Sequence, residues 1–570
     1  MKGISTSSGI AIGKALLKEE TLIDIKKDYT EEPKKEIERF ELALKKSIEE
    51  IVEIYHRTIE KVGKEEAEIF NAHKMMLEDP EFIETIKGKI TTNKYTADWA
   101  TKESSDEFIT IFESIEDEYL KERALDLKDV SSRLLRNLLG VEEVDLSKLD
   151  ENSIIIAKDL TPSDTAQMDK DKVVGFVTEL GGRTSHTSII ARTLDIPAIA
   201  GVKEVMNNIE MGDLLIIDGS DGSIFVNPTE EEIKNYREKI KKIEEFKEKL
   251  QSMKGKKSIS KDGVEVEIAA NIGGPKDVDN VLKNDGEGIG LYRTEFLFMD
   301  RDRMPSEEEQ FEAYKEVAVK MDGKPVIIRT LDVGGDKDIP YIDMPEEMNP
   351  FLGYRAIRLC LDRQEIFKTQ LRAILRASAY GNIKIMFPMI STINEVRQSV
   401  ETVDMVKEDL RKENIEFDKN LELGIMVEIP AVAVQADRFA KEVDFFSIGT
   451  NDLIQYTTAV DRGNQTISHL YSQYHPAVLR LIKNTIDCGH NEGIWVGMCG
   501  EAAGDEKLVP ILLGMGLDEF SMSSSSILKS RWIIKNMSQK ELEPVVEKVL
   551  NMNTAEKVER FLDEEVAFKF

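Results

Sequence analysis

Hydrophobic and polar positions divide the chain into stretches of different periodicity. Residues 1–20 contain a short β-type segment with glycine turns, and residues 21–144 carry charged, helix-type periodicity. Short apolar runs separated by turn signals return over 145–227. Residues 228–258 are almost wholly charged and helix-favouring, and over 259–570 strand-like runs alternate with helical stretches. We therefore expect a multidomain α/β protein: an α/β domain formed by 1–20 and 145–227, an inserted all-α domain, a helical linker, and a C-terminal barrel domain.

The C-terminal stretch predicts a (β/α)₈ barrel of the TIM type. Eight strand-like runs occur in it: VEIAAN, GIGLYR, PVIIRT, IKIMFP, LGIMVEIP, VDFFSIGT, IWVGMCG and LDEFSM. Eight β/α units over about 310 residues suit this fold, whose active-site groups lie at the carboxyl ends of the strands. The linker before it favours relative motion of the domains.

Composition excludes several classes of partner. The 570 residues carry a formal net charge of -31, whereas nucleic acids and anionic membranes attract basic proteins. No apolar run approaches the roughly 18 residues of a membrane span, and GIAIGKALL is a poor signal peptide because Lys14 interrupts it. We expect a cytoplasmic protein without membrane insertion. Three scattered cysteines are too few for a disulfide framework or a zinc site.

One candidate for phosphoryl chemistry is His186, in GGRTSHTSIIAR over residues 181–192. The preceding VVGFVTEL is typical of a buried strand, the two glycines form a turn, and Thr184 or Ser185 can cap a helix. At the first turn of a helix, unpaired N–H groups favour a phosphoryl group and disfavour imidazolium. A neutral imidazole is the nucleophile required. A helix cap beside a solvated histidine is the alternative from this motif alone.

Polar residues of catalytic type end or follow several barrel strands. Arginine, asparagine and lysine side chains suit a small anion, because guanidinium groups bind phosphate and carboxylate in bidentate fashion. Two carboxylates at separate strand ends suit Mg²⁺, and a protonated cysteine can donate a proton. Singly, each has another explanation: a barrel salt bridge, a helix cap or a core filler. The residues are Arg293, Arg329, Lys337, Glu428, Asn451, Asp452, Arg462 and Cys499.

Six motifs together identify a family. GGRTSHTSIIAR, GLYRTEFLFMDR, RTLDVGGDK, MVEIPA, SIGTNDLIQY and GMCGEAA strongly resemble Enzyme I of the bacterial phosphoenolpyruvate-dependent sugar phosphotransferase system. The resemblance extends over essentially the whole chain, including the inserted helical domain.

The resemblance implies a set of residue roles. His186 would be the phosphorylated residue, through Nε2, and Thr165 would help to orient it. Glu428 and Asp452 would hold Mg²⁺, for which Mn²⁺ can substitute, and Cys499 would protonate the departing enolate. The residues that would hold phosphoenolpyruvate are Arg293, Arg329, Asn451 and Arg462, with Lys337 and Asp452 as further candidates.

The resemblance also implies partners. The inserted helical domain would bind the histidine-containing phosphocarrier protein HPr, and the barrel would form a homodimer. The stretch NAHKMMLEDP, residues 71–80, is most like the docking surface of the family, which makes His73, Met76, Glu78 and Asp79 candidates for contact. A Met-Met-Leu run on a helix is also common in protein cores.

Three alternatives remain at this point. Pyruvate phosphate dikinase and phosphoenolpyruvate synthase share the mobile histidine and the barrel, but they need an ATP-grasp domain, for which this chain has no room. A phosphoprotein that only senses phosphoenolpyruvate could lose Cys499, Asp452 and Glu428, which are present here. A paralogue for nitrogen regulation usually carries an extra N-terminal sensory domain, and none is found in this sequence.

Overall fold

The chain divides into two compact units, which we describe separately. A computed structural model describes residues 1–18, 25–61, 64–113, 118–141, 152–161, 164, 172–182, 185, 187–188, 191–192, 196–299, 301–335, 339, 341–464 and 466–566. The first unit is Met1–Ile243 and the second is Glu244–Phe570. The division falls within the predicted linker of residues 228–258, where a helix runs over Glu230–Gln251. Among the described helices, none has both the length and the apolar character that a membrane crossing requires.

A seven-stranded mixed sheet forms the α/β part of the first unit. Its order is β1-β5-β4-β3-β2-β6-β7, in which β2 to β5 are mutually parallel. Successive residues of the central β3 face opposite hydrophobic clusters, so its apolar run does not alternate with polar residues. The strands are β1 Ile4–Ser7, β2 Ile10–Lys18, β3 Ser153–Ala157, β4 Val173–Thr178, β5 Ala198–Ala200, β6 Leu214–Asp218 and β7 Ser223–Val226.

In the described part of the stretch between β2 and β3 there are five helices. They enclose a separate core in which apolar residues recur at helical spacing, such as Ile86 and Ile90 on one helix. The helices are α1 Pro33–Lys61, α2 Lys64–Leu77, α3 Pro80–Thr92, α4 Ala97–Glu113 and α5 Glu118–Leu139. Among the described residues, two further helices follow: α6 Val205–Asn208 in the first unit, and α7 Glu230–Gln251, which spans the division between the units.

The second unit is a closed parallel barrel, which confirms the predicted fold class. Its order is β10-β11-β12-β13-β14-β15-β8-β9. All eight strands coincide with predicted runs: β8 Glu267–Ile272, β9 Gly288–Arg293, β10 Val326–Arg329, β11 Ile383–Phe387, β12 Leu423–Val427, β13 Phe445–Ile448, β14 Trp495–Met498 and β15 Glu519–Met522.

Helices surround the barrel and bury the outer faces of its strands in one large core. Several begin with a side-chain cap; Ser306, for example, accepts from the Glu309 N–H in a capping box. The helices are α8 Val278–Lys283, α9 Glu307–Lys320, α10 Ile357–Asp362, α11 Gln364–Ala377, α12 Ile393–Lys412, α13 Pro430–Val434, α14 Ala436–Phe439, α15 Thr450–Thr458, α16 Pro476–Asn491, α17 Leu508–Met515, α18 Ile527–Lys535, α19 Gln539–Leu550 and α20 Ala555–Phe561.

Candidate active site

Strand periodicity directs a group of polar side chains into one end of the barrel. Ile327 and Met426 pack inside it, and Arg329 and Glu428 follow them by two positions, on the same strand face. Cys499, one residue beyond β14, belongs to the same interior cluster. These side chains come from the carboxyl ends of three strands, where TIM barrels carry their active sites.

Arg329 is the centre of a buried ion network. Its side chain is 8% exposed, and its Nη2 donates to Glu295 Oε1 at 2.6 Å while Nη1 lies 3.0 Å from Asp332 Oδ2. Burial alone would lower the pKa of Arg329, but the negative charges of Glu295, Asp332 and Glu428 outweigh it and raise that pKa. Arg329 is therefore a fixed cation in a site with little water, where charge interactions are strong.

Arg355 extends this network, and sequence reasoning missed it. Its Nη2 lies 2.9 Å from Asp332 Oδ1 and 3.4 Å from Asp452 Oδ2, and its side chain is 2% exposed. Its Nη1 also donates to the Tyr456 hydroxyl at 3.3 Å. Arg355 lies in a segment between β10 and α10 rather than at a strand end, so strand patterning gave no signal for it. Asp332, which bridges the two arginines, was missed for the same reason.

The predicted metal ligands meet in this network. Burial, and then the charges of Asp452 and Asp332, raise the pKa of Glu428 to about 8. Glu428 Oε1 accepts from the Met389 N–H at 2.5 Å, and Asp452 Oδ1 is buried without a hydrogen-bond partner among the described residues.

The charge balance and the donor atoms of the network fit a divalent cation. Four buried carboxylates, those of Glu295, Asp332, Glu428 and Asp452, face two buried guanidinium groups. Over the described ranges, no group of three or more His, Cys, Asp or Glu side chains is arranged as a complete metal site. Mg²⁺ needs only one or two carboxylates beside water and substrate oxygens, so Glu428 and Asp452 would suffice to hold it.

Cys499 is suited to hold a proton rather than to act as a thiolate. Its side chain is buried within the barrel. Burial raises the pKa of the Cys499 thiol to about 12, against smaller opposing effects of the Ser447 hydroxyl and the Arg329 charge. A thiol of this kind is fully protonated at neutral pH, as a general acid must be.

Three further predicted anion-binding residues lie around this network with more exposure to solvent. Arg293 and Asn451 are half-buried, and the Arg462 side chain is 34% exposed with Nη1 4.0 Å from Asp452 Oδ1. The Asn451 amide is engaged with Glu501: it donates to Oε1 at 3.4 Å and accepts from the backbone N–H at 3.3 Å. The structure thus brings these residues to the same barrel end as the buried network.

Three predicted site residues, His186, Thr165 and Lys337, lie outside the described residues. Near the first, Gly181 has a φ of 91°, which suits glycine after a strand. Ser185 Oγ accepts from the Ser188 N–H at 3.4 Å, as an N-cap does.

The predicted docking residues differ in exposure. His73 is fully buried, and its Nε2 lies 3.2 Å from Asp126 Oδ1. The prediction that the His73 side chain contacts a partner is therefore wrong, because the helix turns it into the core. Met76 is half-buried, whereas Glu78 and Asp79 are exposed; Asp79 caps α3 by accepting from the N–H groups of two residues in its first turn.

Comparisons with known proteins agree with this architecture. Three family models match: the N-terminal domain of PEP-utilising enzymes over residues 2–123, their mobile domain over 149–222, and their PEP-binding domain over 247–539.

Curated relatives align along nearly the full length. Phosphoenolpyruvate-protein phosphotransferase of Listeria monocytogenes is 53% identical over 568 residues, 100% of this chain and 99% of that protein. The Bacillus subtilis protein of the same name is 52% identical over 564 residues, 99% of each chain. That of Staphylococcus carnosus is 51% identical over 564 residues, 99% of this chain and 98% of that protein. The resemblance seen in the motifs is confirmed, and this chain belongs to the phosphoenolpyruvate-protein phosphotransferase family of PEP-utilising enzymes.

Proposed function

We propose that this chain transfers the phosphoryl group of phosphoenolpyruvate to its own His186, releases pyruvate, and passes the group to a histidine of the carrier protein HPr. The observation that carries the proposal is the buried network at the barrel end, in which paired arginines, excess carboxylates and a protonated thiol converge. Together they suit an anion that arrives with a divalent cation and leaves as an enolate.

In the first step, the P–O bond of phosphoenolpyruvate breaks and a P–N bond to neutral His186 forms. Glu428 and Asp452 would hold Mg²⁺, which supplies Lewis-acid stabilisation of phosphoryl and enolate oxygens when bound. Arg293, Arg329 and Arg462 bind the phosphoryl and carboxylate groups. Their charges act where negative charge develops, and Arg329 is preorganised by its own carboxylate partners.

Cys499 completes the first step. The electron pair released from the P–O bond is delocalised over the enolate, whose C3 takes the proton from Cys499 Sγ. The electrons of the S–H bond remain on sulfur, and water returns a proton to it. Pyruvate, once formed by C-protonation, is a poor acceptor for the reverse transfer.

In the second step, phosphorylated His186 meets HPr. Since His186 belongs to the first unit and the barrel site to the second, the histidine must serve two sites in turn, and α7 is the segment that joins the units. Exposed Glu78 and half-buried Met76 are candidates for HPr contact. We further propose a cytoplasmic homodimer, with the barrel as its dimerisation domain.

Intact mass under alkaline conditions, which preserve phosphohistidine, tests the proposal. The full chain is incubated with Mg²⁺ and either phosphoenolpyruvate or ATP, beside chelated samples. His186→Ala is compared with His490→Ala, a matched control at a half-exposed histidine of the barrel unit. We expect one phosphoryl increment from phosphoenolpyruvate, absent in His186→Ala and with chelator, and retained in His490→Ala.

The other outcomes are equally informative. Labelling from ATP would support a dikinase instead. Labelling from phosphoenolpyruvate without pyruvate in excess over enzyme, even when HPr is added, would indicate a sensor. The absence of any labelling would contradict the proposal.

A further inference from the structure

Cys499 lies one residue beyond the end of the β13–β14 ladder, whose last pair is Ile448 and Met498. A buried backbone carbonyl at such a position has no partner from the sheet and needs another donor. Cys499 is 2% exposed, so water is not freely available to it. Its own N–H donates to the Ile448 carbonyl of β13 at 3.1 Å.

Asn271, the inward-facing residue near the end of β8, supplies the missing donor. Its Nδ2 donates to the Cys499 carbonyl at 2.9 Å, across 228 positions of sequence. The Ser521 hydroxyl of β15 donates to Asn271 Oδ1 at 2.7 Å. Because a carbonyl oxygen only accepts, the amide nitrogen must face Cys499 and the amide oxygen must face Ser521. The donor and the acceptor of each of these two hydrogen bonds are therefore fixed.

Both backbone hydrogen-bonding groups of Cys499 are thus held by other strands, the N–H by β13 and the carbonyl by Asn271 of β8. Fixing the N–H and the carbonyl of one residue restricts its backbone dihedrals and so sets the direction of Cβ, while Cys499 Sγ itself lies 3.9 Å from the Ile448 carbonyl oxygen. Ser521 is fully buried, so the orientation of the Asn271 amide does not depend on solvent. Proton transfer to carbon demands such precision, since misplacement by about 1 Å can cost about a hundredfold in rate.

We propose that Asn271 is a positioning residue for proton donation, oriented by Ser521, and that it holds the Cys499 thiol against one face of the enolate. The inference rests on the proposed function, in which Cys499 Sγ–H protonates C3. When the thiol is correctly held, the new C–H bond forms on one face only. When it is not, enolpyruvate leaves and takes its proton from water on either face.

The experiment uses the full-length chain, Mg²⁺, and phosphoenolpyruvate labelled stereospecifically at C3 with deuterium and tritium. A single turnover phosphorylates His186 and releases one pyruvate, so no carrier protein is needed. The handedness of the chiral methyl group of pyruvate and the phosphohistidine mass are measured on the same sample. The variants are Asn271→Ala, Asn271→Asp and Ser521→Ala. Asn284→Ala is the matched control, because that amide donates to the Asn280 carbonyl at an exposed helix end.

We expect His186 phosphorylation to persist in Asn271→Ala while the methyl group loses most of its handedness and pyruvate forms about tenfold more slowly, the effect of one hydrogen bond. Asn271→Asp should be worse, because its carboxylate repels the Cys499 carbonyl, and Ser521→Ala should be milder. Asn284→Ala should match the wild type. Circular dichroism and thermal unfolding accompany each variant, and if Asn271→Ala does not fold, Ser521→Ala decides the matter.

Wild-type handedness in the pyruvate from folded Asn271→Ala and Ser521→Ala would overturn the positioning role and leave the proposed function intact. Racemic pyruvate from the wild type, or undiminished handedness from Cys499→Ala, would instead overturn the assignment of Cys499 as proton donor, and the positioning role with it. The two failures are therefore distinguishable.

Discussion

Replacing Arg355 with methionine should destabilise the barrel unit strongly. The substitution keeps an unbranched side chain of similar reach but removes the charge that lies 2.9 Å from Asp332 and 3.4 Å from Asp452. Both carboxylates are themselves buried, at 1% and 7% exposure. Neither can turn to solvent, so each loses a buried partner.

The expected loss in the free energy of unfolding depends on how deeply the charges are buried, and not on the number of ion pairs. Breaking a buried pair by removing one partner costs about 3–5 kcal/mol, because an uncompensated charge remains. Arg397→Met is the matched control: its side chain is 63% exposed and lies 2.7 Å from Glu442. An exposed pair of this kind contributes about 0–1 kcal/mol.

Urea unfolding followed by tryptophan fluorescence measures the difference. The chain has three tryptophans, of which Trp99 lies on α4 and Trp495 stacks on Phe445 inside the barrel at 4.6 Å. A Trp99→Phe background therefore confines the signal to the barrel unit, which avoids the mixed transitions of a multidomain protein. A free energy of unfolding for Arg355→Met within about 1 kcal/mol of that for Arg397→Met would refute the reasoning.

A double-mutant cycle with Asp332 checks the cause. Adding Asp332→Asn to Arg355→Met removes one of the two carboxylates that lost Arg355 as a partner, so the double change should cost less than the sum of the single changes. A coupling of about 1–3 kcal/mol is expected for groups in direct contact. Additive effects would mean that the contact between Arg355 and Asp332 does not contribute to the stability of the unit.

Three further predictions concern titratable groups. Burial raises the pKa of Glu267 to about 7, so the folded state binds this proton more tightly than the unfolded state, and stability is lost as pH rises from about 4.5 through 7. Glu267→Gln should therefore raise the free energy of unfolding by about 1–3 kcal/mol at pH 8 and leave it unchanged at pH 4. Urea unfolding curves at both pH values measure this difference. The hydrogen bond that His490 Nε2 donates to the Asp518 carboxylate raises the pKa of His490, which stabilises the fold below pH 6.5, and this contribution is lost as pH rises through the folded-state pKa. NMR titration should show a lower pKa of His490 in Asp518→Asn. Iodoacetamide at pH 8 should modify half-buried Cys488 before Cys499, because burial raises the pKa of the Cys499 thiol to about 12; peptide mapping with the opposite order would contradict this.

The barrel and part of its site could be predicted from sequence for a simple physical reason. Parallel strands buried on both faces appear as continuous apolar runs, and all eight are visible between helical stretches. A polar residue at the carboxyl end of such a run is therefore expected to lie at the open end of the barrel. Arg329, Glu428 and Cys499 were found by that rule, and the structure brings them to one barrel end.

Site residues that do not lie at strand ends could not be predicted by this rule. Arg355 reaches the site because the chain folds back here, with the Ala356 N–H donating to the Val333 carbonyl at 3.1 Å. Gly334 leaves room for the arginine, since a Cβ at position 334 would lie only 2.6 Å from the Arg355 Cβ. Such a return of the chain depends on tertiary packing. His73 failed for the converse reason, since which face of α2 is buried depends on helices elsewhere in the chain.

The charge balance of the network connects these residues to the proposed reaction. Four buried carboxyl groups face two guanidinium groups, and burial with the charges of Asp452 and Asp332 raises the pKa of Glu428 to about 8, so its ionised form is costly without a further cation. In the proposed reaction, a divalent cation held by Glu428 and Asp452 would compensate that charge. Phosphoenolpyruvate would add negative charge of its own, for which the proposal uses the more exposed Arg293 and Arg462. Under the proposal, Arg355 holds carboxylates in position, Arg293 and Arg462 bind the substrate, and Arg329 does both.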